Sequence, residues 1–204
     1  METAVAIIVA FITAVIGPTV LEWVKVKLTK PSKIQSPIKE AIDLNEKVDE
    51  QLDIIMDEFQ CDRIWIAQFH NGGHFYPTGK SIQKFSLFYE KVSPKVESIQ
   101  HTFQNIPVSL FPKALSKLYN DGEIAIYDYN EDETYGLELF DKEYDCKSFY
   151  LLEIDDLNGR FIGIMGISFI EEPYKFSKED WIFIRHKLGA IGSLLTDYLH
   201  NKKL

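Results

Sequence analysis

Two apolar stripes with helical spacing bracket a middle region where apolar residues crowd into short strand-like runs. Ser36-Pro37 reads as an N-cap with proline at the first helical position, and the helix it opens is expected over 37–59. Ile38, Ala41, Asn45, Val48, Leu52, Ile55 and Phe59 step along it by threes and fours. That is the seam spacing of a coiled coil with Asn45 as its polar position, and equally the stripe of an amphipathic helix lying on a sheet. Toward the other end, Ser177 and Asp180 have the spacing of a capping box. Trp181, Ile184, Leu188, Ile191, Leu195 and Tyr198 repeat the stripe, which predicts a second long helix over 178–200.

Between the helices, five runs rich in β-branched and aromatic residues predict strands at 63–69, 83–92, 123–129, 148–154 and 160–170. Asn158-Gly159 between the last two predicts a hairpin. The final run, RFIGIMGISFI, is apolar on both alternating sets, as suits a strand covered on both faces near the middle of a sheet. A crossover helix is expected over 109–119, stopped by Asn120-Asp121-Gly122.

Ahead of this domain, Ala4 to Leu21 carries no charge, and a helix of that length spans roughly 27 Å, close to the hydrocarbon thickness of a bilayer. A buried core helix would show a polar stripe, whereas only Thr13 and Thr19 interrupt this run; a cleaved signal would carry a basic start, which Met1-Glu2 does not supply. The expectation is a membrane anchor over 1–26 with residues 4–24 in the lipid bilayer, a linker over 27–36 and one domain over 37–204. Lys25, Lys27, Lys30 and Lys33 behind the anchor place the N-terminus outside and the domain in the cytoplasm.

With 204 residues and 46% hydrophobic side chains, the chain is long enough for one well-filled core. The net charge of −9 and the lack of a dense Lys/Arg stripe argue against a nucleic-acid partner. Cys61 and Cys146 have no CxxC or Cys/His spacing, which points to neither structural zinc nor a disulfide framework. No GxSxG, phosphate-binding glycine loop or HExxH occurs, so an enzyme has no motif behind it.

Candidate binding chemistry clusters at His70-Asn71-Gly72-Gly73-His74, where glycine permits close backbone approach and His70 and Asn71 offer hydrogen bonds to a ligand. The competing reading is a tight loop that caps its own backbone. A metal would need ligands beyond His70 and His74. On the second strand, alternation groups Ser86, Phe88 and Glu90 against Phe85, Leu87 and Tyr89, so one set lines a pocket. Tyr76 and Tyr127 complete the candidate ligand-binding set. The acidic stretch from Asp128 to Asp145 opens like a calcium loop but lacks its glycine and closing glutamate, and reads as a solvated loop. The residues name no cofactor.

The element order, with Arg63–Val92 carrying a Phe-His-Asn-Gly sequence at Phe69, His70, Asn71 and Gly72, resembles the GAF fold. The resemblance covers about Pro37 to Leu204. It implies an α/β (α+β) domain with a central five-stranded antiparallel sheet, terminal helices together on one face and often dimeric, and a small ligand under the crossover on the other. It implies a sensory, small-ligand-binding or signalling module, which the N-terminal run would tether to a membrane; the alternatives are an anchored interaction scaffold with a vestigial pocket, and a free methionine-sulfoxide reductase-like enzyme with Cys146 as attacking thiol. The Asn-Lys and Phe-x-x-x-Asp-Glu signature of cyclic-nucleotide binders is not reproduced, and neither cysteine has the neighbouring His of a bilin attachment site. The expected partners are a second copy through the two long helices and an unidentified small molecule or protein.

Overall fold

The computed structural model describes residues 36–200. The uncharged N-terminal segment expected to cross a membrane lies outside the described residues, among which no helix is long and apolar enough to do so. Contacts divide the chain between Glu40 and Ala41, inside the first helix, and the account below concerns the second unit.

Helix α1 (Pro37–Phe59) leads into a long hairpin, β1 (Arg63–His74) and β2 (Ser81–Val92). The chain then crosses over through a two-residue strand β3 (Ile106–Pro107), a 3-10 turn (Val108–Leu110) and helix α2 (Pro112–Asp121). Strand β4 (Glu123–Ile126), the short helix α3 (Leu139–Lys142), β5 (Ser148–Asp155), β6 (Phe161–Phe169) and helix α4 (Lys178–His200) complete the domain. The strands form one antiparallel sheet in the order β3-β2-β1-β6-β5-β4. The sheet has six strands rather than the expected five. The addition, β3, is two residues ending in proline at a sheet edge, too short to show any alternation and placed where a missing N–H is tolerated.

Alternation along the strands divides the core in two. On one face Ile64, Ile66, Tyr150, Leu152, Ile154, Met165, Ile167 and Phe169 meet α1 and α4. On the other, Trp65, Ala67, Phe85, Leu87, Phe149, Leu151 and Ile164 meet the crossover segments. The stripe of α1 is consumed by its own sheet: Leu44, Val48, Leu52, Ile55 and Phe59 are buried, Asn45 is exposed and Leu44 takes its place. Ile184, Ile191 and Leu195 of α4 are buried in the same core. The three-four spacing therefore records an amphipathic helix on a sheet. The capping box does form, with the Asp180 N–H donating to Ser177 Oγ at 3.1 Å and the Ser177 N–H to Asp180 Oδ2 at 2.8 Å.

Two local features shape the crossover face. Gly166 on β6 faces Trp65 on β1, and a Cβ there would stand 2.1 Å from the indole ring, so only glycine lets the ring lie flat on the sheet. A bulge shifts the register between β1 and β2, pairing Ile66 with Tyr89 and Ala67 with Leu87. The extra residue, Phe88, breaks the strict alternation, so Leu87 enters the crossover core and Tyr89 the helix-side core.

Candidate functional site

The bulge disperses the residues that alternation would group. Ser86 lies between Phe85 and Leu87 and so points away from the crossover core. His70 Nε2 is 2.9 Å from its Oγ, which also accepts the Asn105 N–H at 2.8 Å. Asn71 Oδ1 accepts a hydrogen bond from Gln83 Nε2 at 3.3 Å. His74 and Tyr76 are exposed at the hairpin end, Gly72 lies within the hairpin, and Phe88 is half exposed at the bulge. Tyr127 packs against the helix-side core, edge-on to Tyr150 and beneath Lys175. These residues form no single pocket.

Glu90 alone of that set faces the crossover side. Its carboxylate accepts the N–H groups of Ile99 at 2.9 Å and Gln100 at 3.0 Å and the Ser98 hydroxyl, clamping the crossing segment over the sheet. It also faces Arg63 Nε at 3.6 Å, both side chains being only 2% exposed. Arg63 Nη2 donates to the Glu97 carbonyl at 3.0 Å, and the guanidinium stands over the Tyr144 ring. Burial pulls Arg63 below its ordinary pKa, while Glu90 opposes that shift.

Around Arg63 lies a group of buried polar atoms that no sequence motif marks. Arg63 Nη1 and Trp65 Nε1 have no hydrogen-bond partner, Arg63 Nε has the Glu90 carboxylate only at 3.6 Å, and Tyr129 Oη and Ser168 Oγ have no nitrogen or oxygen partner, only the weakly bonding Cys146 thiol. Arg63 and Ser168 are directly paired across β1 and β6, with Trp65 two residues along, and Cys146 lies beside the Tyr129 and Ser168 hydroxyls. Every one of these atoms can donate a hydrogen bond, and an unmade buried bond costs about 1–3 kcal/mol. The available sequence signal was a charged residue heading the strand set Arg63, Trp65, Ala67, Phe69. Reading it required the β1–β6 register, which brings Ser168 opposite.

The remaining volume is small. A cavity of about 30 Å³ is lined by Trp65, Phe85, Phe103, Phe111, Phe140 and neighbouring aliphatic residues. That is about the space of one water, against roughly 300–1,000 Å³ for small-molecule pockets. Aromatic rings fill the rest: Phe140 stacks on Phe149 at 4.3 Å and on Trp65 at 6.5 Å.

The cysteines are separated by the sheet. Cys61 belongs to the helix-side core and Cys146 to the crossover core. Burial pushes the Cys61 thiol up to about 12 and the Cys146 thiol up to about 11, and Cys146 Sγ donates to the Ser148 carbonyl at 3.1 Å. An attacking and a resolving thiol cannot meet in this arrangement. The acidic loop spends its carboxylates on itself: Asp132 accepts the Tyr127 and Asp128 N–H groups, and Asp128 accepts that of Asn130.

No family model and no curated protein matches the sequence. Solved structures do match it. A far-red cyanobacteriochrome photoreceptor superposes with a TM-score of 0.60 at 12% identity, over 88% of this chain and all 100% of that one. The chain has the GAF fold. The GAF domain/HD domain protein of Geobacter sulfurreducens gives 0.58 at 12% identity, over 77% of this chain and 94% of its own. The blue-light-absorbing form of the PixJ GAF domain of Thermosynechococcus elongatus gives 0.58 at 15% identity, covering 82% and 92%. The Arg63 cluster lies on the sheet face covered by the crossover, away from the two long helices.

Proposed function

We propose that the chain is a membrane-tethered sensory module of the GAF fold, in which the crossover face takes a small ligand bearing hydrogen-bond acceptors at Arg63. The observation that carries this reading is the set of buried donors at Arg63, Trp65, Tyr129 and Ser168 that lack a well-placed nitrogen or oxygen acceptor. In a satisfied core such atoms are rare, and an unfilled polar site is one of their ordinary causes. The tether rests on the uncharged run from Ala4 to Leu21 and the lysines behind it, which put the domain on the cytoplasmic side. A ligand entering beside Arg63 would displace the segment that Glu90 clamps, a movement available for signalling. A homodimer remains part of this proposal, through outer helix positions such as Ile54 and Ile182, since Leu52 and Ile191 are spent on the sheet.

Native mass spectrometry of the full chain released from nanodiscs tests the pocket. A retained small molecule, lost in Arg63→Met, is the expected result; an unadorned mass together with no thermal shift across a panel of small carboxylates and amides sinks it. That outcome would favour a second reading, a membrane-anchored interaction scaffold with a closed pocket. The 30 Å³ cavity and its stacked rings support the scaffold. The same cavity is too small for the light-absorbing function named for two of the similar structures to be carried over.

A further inference from the structure

The β1–β2 hairpin outruns the sheet that supports it. β1 pairs with β6 only as far as Gln68, whereas its pairing with β2 continues to His74 opposite Ser81. On the other side β3 reaches only Lys84 and Phe85. The end of the hairpin is thus a two-stranded arm, a form with little stability of its own in water. At its tip, Phe75 is 54% exposed and Tyr76 98% exposed. The turn is closed by the Phe75 N–H on the Lys80 carbonyl at 2.8 Å and the Gly79 N–H on the Phe75 carbonyl at 2.8 Å.

Charge sets the arm apart from the rest of the chain. Although the net charge is −9, no Asp or Glu occurs from Arg63 to Tyr89. Lys80 and Lys84 have no acidic partner among the described residues. The Lys84 stem runs along the arm over Gly72, where a Cβ would stand 2.3 Å from its Cδ.

We propose that this arm docks on an anionic bilayer surface, with Phe75 and Tyr76 entering the interface and Lys80 and Lys84 meeting lipid phosphates. Aromatic rings, one with a polar tip, suit the headgroup level, and flexible ammonium groups suit mobile headgroups better than a fixed protein surface. The attraction to anionic lipid follows from an acid-free arm on an otherwise acidic protein. The inference is independent of what the crossover face binds.

The test places an environment-sensitive fluorophore at the exposed turn through Thr78→Cys in the full chain, Cys61 and Cys146 being buried and unreactive. The chain is reconstituted in nanodiscs of phosphatidylcholine with or without phosphatidylserine. The expected result is a blue shift, quenched by brominated acyl chains, that requires phosphatidylserine and fades with salt. Neutralising both lysines, Lys80→Gln with Lys84→Gln, should lower the docked-to-free ratio roughly 30-fold. An emission unchanged by phosphatidylserine overturns the proposal. So does a shift that grows with protein concentration whatever the lipid, which would assign the arm to a second copy. The probe reports the tip alone, so a chain held in the disc by its N-terminal segment with a wet tip refutes docking and leaves the tether standing.

Discussion

The two faces of the sheet are both buried, and they are differently finished. On the helix side, polar groups that enter the core are bonded. The Tyr150 hydroxyl donates to the Tyr174 carbonyl at 2.6 Å and accepts the Phe176 N–H at 3.0 Å, and Ser148 Oγ accepts the Tyr174 N–H at 2.9 Å. On the crossover side, Trp65 and two atoms of Arg63 go without, and Tyr129 and Ser168 have only the Cys146 thiol. Burial alone therefore does not distinguish scaffold from site; the bonding of what is buried does. The helix face behaves as a closed core, while the crossover face carries unspent hydrogen-bonding capacity.

Three experiments would break or sharpen that contrast, from the largest effect to the smallest. Glu90→Leu takes the ion-pair partner from a buried guanidinium and unclamps Ser98 to Gln100. Urea unfolding should show a loss of about 3–5 kcal/mol, much of it recovered when Arg63→Leu is added. If the single variant is as stable as the parent, the Arg63–Glu90 centre is not a stressed one.

The paired comparison of tyrosines comes next. Tyr150→Phe leaves the Phe176 N–H without its acceptor and should cost about 1–3 kcal/mol, whereas Tyr129→Phe removes a hydroxyl whose one neighbour is the weakly bonding Cys146 thiol and should be neutral within about 0.5 kcal/mol or stabilising. Equal losses in thermal denaturation would erase the distinction between the faces.

The smallest effect is one of pH. Glu153 ends the crossover-side row Phe149, Leu151, Glu153 and lines a surface groove with Glu123, Asp155 and Arg185. Burial first, then a hydrogen bond and repulsion from Asp155, raise it from 4.5 to about 7. The folded protein then binds this proton more tightly than the unfolded chain. Its contribution to stability is complete below about pH 4.5 and is lost as pH rises toward 7. Glu153→Gln should flatten the melting temperature across that window; an unchanged slope would mean that Glu153 titrates normally.

Much of the architecture was legible in advance. The limits of α1 and α4, the capping box at Ser177 and the hairpin at Asn158-Gly159 all come from local chemistry: capping groups, a turn that needs positive φ, and a stripe of fixed period. What the stripe packs against was not local, so Leu52 could be read as a seam residue until the sheet beneath it was seen. The strand ends show the same limit. β1, expected to end at Phe69, runs on to His74 because β2 supplies its partners, and Gly72 and Gly73 fall at a second irregularity inside the hairpin. Phe88 is apolar and falls in an alternating run, and nothing in its neighbours announces the bulge that divides Leu87 from Tyr89.

Spacing and side-chain chemistry by themselves determined the two helices, the strand-rich middle, the uncharged N-terminal run and the acid-free stretch from Arg63 to Tyr89, because each is a property of consecutive residues. Only the tertiary structure decided which faces those residues share. Arg63 and Ser168 are far apart in the chain, and it is antiparallel pairing that places both beneath one crossing segment with Tyr129 and Cys146. A buried donor becomes unpartnered only through everything packed around it, and that is a property no single segment contains.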